Sequence, residues 1–65
     1  MPIVTVSGPH LEVEQKRKMA KGLTAVAAEV YGRPPGHIIV LIEENEPENV
    51  SIGGTLVADR EAESS

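Results

Sequence analysis

Pro2 stands directly behind Met1 in a chain that begins MPIVTV. Inside a peptide its nitrogen has no proton to donate. If Met1 is removed, the same nitrogen becomes a free secondary amine that can take up a proton and return it. A free α-amino group titrates near about 7.7 to 8.0, and surroundings that exclude water lower that value by penalising the charged form. A general base works best with a pKa near the operating pH, so Pro2, followed by the apolar Ile3 and Val4, is the candidate general base. The same amine could also condense with carbonyls to iminium ions, which would give an aldol-type side activity. The structural alternative is plain: proline is tolerated as the first residue of a strand, where a missing N–H costs little.

Few other side chains carry chemistry. His10, when protonated, could meet an anion, or could be a loop histidine in solvent. Arg33 stands just past a helical stretch, where a cation faces the negative end of the helix dipole; the alternative is substrate binding across a subunit interface. His37 is read as the first residue of a strand. Lys16 lies where helix N–H groups attract anions, although pairing with Glu12 also accounts for it. Glu43, Glu44, Glu46 and Glu48 read as a solvated acidic loop rather than a cation site.

The elements that position these residues follow from hydrophobic spacing. Pro2 to Val6 is a strand signal, because Ile3 to Val6 are all β-branched, and Ser7-Gly8-Pro9 breaks it. Met19, Leu23, Val26, Ala27 and Val30 recur at helical intervals and predict a helix over 13–31. Its charges fall as Glu12 with Lys16 and Glu14 with Lys18, four apart and acid first, which suits a solvated helix surface. Glu12 makes a weak N-cap, whereas Gly32 suits the helix end and Pro34-Pro35 forbids continuation. His37 to Glu43, HIIVLIE, is a second strand, apolar on both pleat faces. Strand, helix and strand make a βαβ unit with parallel strands and a right-handed crossover. Gly53-Gly54 between β-branched neighbours predicts a tight turn closing a C-terminal hairpin. Asp59 to Ser65 reads as a polar tail.

The expected architecture is a single α/β domain over residues 1–65 (α+β in some schemes): one β-α-β unit with a C-terminal β-hairpin, completed by oligomerisation. A 65-residue chain buries only about 60% of its unfolded surface. This one has no Cys, Trp or Phe to strengthen a thin core. One helix covers one face of two strands, so the other face and the edges invite pairing with further chains. Ten acidic against six basic residues give a net charge of −4, and Tyr31 is the single aromatic. That balance repels phosphate backbones and offers no stacking platform, which argues against nucleic-acid binding. No apolar run approaches membrane-spanning length and no signal-peptide layout opens the chain, so the expectation is a cytoplasmic protein with no membrane partner.

The Met-Pro start, VEQKRK opening a helix, a buried strand and ENVSIGGTL near the end together resemble the 4-oxalocrotonate tautomerase family over nearly the whole chain. The resemblance implies a homo-oligomer, a hexamer of paired protomers. It implies the amino-terminal proline as general base, and interconversion of enol and keto forms of 2-oxo acids without metal or cofactor. It also locates departures. The family's arginine before the first helix has no counterpart in His10-Leu11-Glu12. A second arginine falls at Ile39, and an aromatic residue falls at Val50. Two lost anchors, each worth roughly 1.5 to 3 kcal/mol, argue against a dicarboxylate and for a smaller, less charged or more apolar substrate. His10, Arg33, Ile39 and Val50 are therefore the candidate substrate-binding positions, and a non-catalytic binding or structural module of the same fold is the alternative function.

Overall fold

A computed structural model describes residues 1–64. Strand β1 (Ile3–Gly8) leads through a short loop into helix α1 (Val13–Tyr31), and a 3-10 turn (Pro35–His37) leads into strand β2 (Ile39–Glu44). A second 3-10 turn (Pro47–Asn49) precedes the short strands β3 (Ser51–Ile52) and β4 (Thr55–Leu56), and helix α2 (Val57–Ser64) follows. Strands β1 and β2 pair in parallel from Ile3↔Ile39 to Gly8↔Glu44, while β3 and β4 form an antiparallel hairpin.

Alternation along β1 fixes which face meets α1. Val4, Val6 and Gly8 are half-buried, and Ile3, Thr5 and Ser7 are exposed. Their register partners Val40, Ile42 and Glu44 share the helix-facing side, and Ile39, Leu41 and Glu43 share the open one. Ala27, at 7% exposure, is the one buried residue among those described. The radius of gyration is 15.5 Å and the extents are 46 × 25 × 14 Å, against about 11 Å expected for a compact chain of this length. Such a slab leaves Ile3 and Leu41 at 58% and 48% exposure on the uncovered face. Among the described residues, no helix is long and apolar enough to cross a membrane.

Several local expectations require correction. β1 does not stop at Val6: Ser7 and Gly8 continue the ladder opposite Glu43 and Glu44. His37 does not open β2 but ends the 3-10 turn, because Pro35 presets its first position and Pro34 O accepts the His37 N–H at 2.9 Å. The helix charges pair differently as well. Lys16 reaches Glu44 instead of Glu12, and Glu14 pairs with Arg17 instead of Lys18. The weak cap at Glu12 is supported by Gln15, whose Oε1 accepts the Glu12 N–H at 2.9 Å, as in a capping box. The stretch read as a polar tail is helical as far as Ser64, with Arg60 Nη2 donating to Ile52 O at 3.3 Å; Ser65 lies outside the described residues. The hairpin turn is as expected, with Gly53 and Gly54 both at positive φ, 62° and 88°, the backbone that a two-residue type I′ loop demands.

Candidate functional site

Parallel pairing places the starts of β1 and β2 side by side, and a helix running back between them must end near the same edge. Gly32, at φ 64°, ends α1 there. Its N–H bonds to Glu29 O at 3.3 Å and the Arg33 N–H to Ala28 O at 3.0 Å, a Schellman closure that only a residue tolerant of left-handed backbone makes without strain. Pro34 and Pro35 then carry the chain into the 3-10 turn and back to the sheet. The outcome is a small cavity of about 180 Å³ lined by Met1, Pro2, Arg33, Gly36 and His37. Pro2 is half-buried, and its carbonyl accepts the Ile39 N–H at 3.0 Å, which ties the start of the chain to the start of β2.

The remaining candidates separate by position. Arg33, read first as a cation at the helix end and alternatively as a substrate contact across a subunit interface, lines the Pro2 cavity from the same chain. Ile39 adjoins the cavity through its backbone bond to Pro2, and its side chain shares the open pleat face with Ile3. His10 lies beyond the other end of β1, and the strand alone spans about 17 Å at ~3.3 Å per residue. Val50 also stands apart from Pro2, in a concavity of about 420 Å³ with Ser7, Pro9, Asn45 and Val57. One protomer therefore brings Pro2 and Arg33 together, with Ile39 adjacent, and leaves out His10 and Val50. The residue that sequence reasoning missed is His37. No local signal marks it, because the 3-10 turn at Pro35–His37 reaches Pro2 only through the tertiary closure after Gly32.

The far end of the sheet holds a separate polar junction. Glu44 accepts from Lys16 Nζ at 2.8 Å and from the Leu11 N–H at 3.1 Å, and its Oε2 lies 2.7 Å from His10 Nδ1. His10 Nε2 also lies 3.5 Å from Glu12 Oε1. The Lys16 hydrogen bond, followed by the Leu11 N–H and with a smaller contribution from the His10 charge, holds the Glu44 carboxyl below its ordinary value. His10 is thus a largely exposed loop residue whose ring already lies against the Glu44 carboxylate. Among the described residues, no group of three or more His, Cys, Asp or Glu is placed to hold a metal ion.

Comparison with known proteins agrees with this architecture. The Tautomerase enzyme family model matches residues 2–60. A probable tautomerase of Bacillus cereus is 36% identical over 61 residues, covering 92% of this chain and all of that one. Among solved structures, DmpI from Archaeoglobus fulgidus superposes with a TM-score of 0.83 at 48% identity, covering 89% of this chain and all of that one. A heterohexamer 4-oxalocrotonate tautomerase from Chloroflexus aurantiacus superposes with a TM-score of 0.82 at 27% identity, covering 91% of this chain and 97% of that one. With its β-α-β unit, its hairpin and a family match running almost from end to end, the chain belongs to the tautomerase family.

Proposed function

We propose that the protein is a cofactor-independent tautomerase of the cytoplasm that interconverts the enol and keto forms of a 2-oxo acid or related carbonyl compound, with Pro2 as general base once Met1 is removed. The observation that carries the reading is the placement of Pro2 in a concave site with Arg33 and His37, its carbonyl fixed by the Ile39 N–H. Met1 lines the same cavity, so its removal both frees the nitrogen and clears space beside it. The Pro2 amine takes the enol hydroxyl proton as the O–H pair becomes the carbonyl. The prolinium then delivers a proton to the carbon of the former C=C bond, which restores the neutral amine. No covalent intermediate is required.

Self-association is part of the proposal. A slab with Ile3 and Leu41 exposed on its uncovered face supports burial against further copies, and a homohexamer is the assembly we favour. The relative from Chloroflexus aurantiacus is a heterohexamer by name. The test is ketonisation of the enol of phenylpyruvate by two forms of the chain that both begin at Pro2, one with its amine free and one with it acetylated. Loss of a general base costs about 10²- to 10⁴-fold, and the acetylated form should fall within that range. Equal rates would remove Pro2 from the mechanism and leave a non-catalytic oligomeric module of this fold.

A further inference from the structure

We propose that the Pro2 cavity takes a compact substrate with one carboxylate, held by Arg33 with help from His37, so that the protein acts on small 2-oxo monoacids rather than dicarboxylates. The proposal deepens the tautomerase reading and rests on it for the reacting group, although the anion site stands on its own geometry.

Three observations converge with the chemistry of these side chains. Arg33 and His37 line the cavity that holds Pro2. Arg33 has no carboxylate partner among the described residues, whereas His10, Lys16 and Arg17 each have one. Its backbone is fixed by the 3.0 Å bond from its N–H to Ala28 O. A guanidinium presents a rigid fork of donors that matches a carboxylate in two-point fashion, and an imidazole keeps at least one N–H donor in either protonation state.

Among the described residues of one chain, a second carboxylate finds no comparable partner beside this cavity. His10 and Lys16, at the far end of β1, are both held by Glu44 at 2.7 and 2.8 Å. Ile39 and Val50 are apolar. With Met1 in place the cavity measures about 180 Å³, so the room beside Pro2 is that volume plus what the departing Met1 vacates. A net charge of −4 also opposes a dianion more than a monoanion.

The experiment compares wild type, Arg33→Ala and Arg33→Lys, at equal assembly size, on the enol of phenylpyruvate, on its methyl ester and on a 2-hydroxy-dienedioic acid. For the monoacid, Arg33→Ala should raise KM by roughly 10- to 100-fold, the loss of one charged hydrogen-bonding anchor. The expected change in kcat is much smaller, the ester should be unaffected, and lysine should restore part of the binding. The wild type should favour the monoacid over the diacid in kcat/KM. An unchanged KM for the monoacid in Arg33→Ala, or a preference for the diacid, overturns the proposal while leaving Pro2 catalysis intact. If the wild type turns over neither acid nor ester, the tautomerase reading fails instead. Calorimetric binding of 3-phenylpropionate then decides the anion site alone, being weakened in Arg33→Ala if the site is real and equal in both proteins if it is not.

Discussion

Lys16 Nζ and Glu44 Oε1 lie 2.8 Å apart across 28 positions of the chain, joining the start of α1 to the last residue of β2. Glu44 also receives the Leu11 N–H at 3.1 Å and lies against His10 at 2.7 Å. One carboxylate thus gathers the loop before α1, the helix and the sheet. In a chain where Ala27 alone among the described residues is buried, such a junction orders a loop that apolar packing would leave loose.

Glu44→Gln should therefore lower the melting midpoint near neutral pH. The folded pKa of Glu44 is depressed, chiefly by the Lys16 hydrogen bond and then by the Leu11 N–H. Its contribution is present above the unfolded glutamate value of about 4.3 and is lost as pH falls through the lower folded value. Thermal melts of both proteins from pH 7 to pH 2 should show a gap that closes in acid. It should also narrow in high salt, because the groups are partly solvated. Identical melts at pH 7, or a gap that does not change with pH, would mean the junction is ornamental.

Leu41→Glu places a charge on the open sheet face, opposite Thr5 and on the same side as Ile3 and Glu43. Sedimentation of the wild type at micromolar concentration should give a species well above 6.9 kDa, and the variant should shift to smaller, less stable material. A wild type that sediments as a folded monomer would contradict the assembly.

The long elements were legible because their signals are local. The 3.6-residue spacing from Met19 to Val30 and the Gly32, Pro34, Pro35 stop predict a helix over 13–31, and α1 has those bounds. Gly53-Gly54 specified its turn through the left-handed backbone that both residues adopt. What escaped depends on contacts between distant positions. Glu12 looked like the nearest partner for Lys16, yet the parallel ladder brings Glu44 closer. Ser7-Gly8 looked like a break, yet β2 extends far enough to pair with it. The helical run from Val57 is short and carries few apolar residues, and it lies against the Pro47–Asn49 turn. Pro2 was legible as chemistry, but its company was not: the turn at Gly32 to His37 brings Arg33 and His37 to it, and no spacing rule reports that closure.

The central claim concerns the Pro2 nitrogen, and the most direct measurement alters only the residue in front of it. Two chains prepared by chemical synthesis, one beginning at Met1 and one at Pro2, each verified by intact mass and by assembly size, are compared for ketonisation of the enol of phenylpyruvate. The account predicts catalysis by the chain beginning at Pro2 and a rate at the buffer background for the chain that keeps Met1. Equal catalysis by both would show that a free Pro2 amine is not needed, because an amide nitrogen is no base, and the proposed base would be wrong.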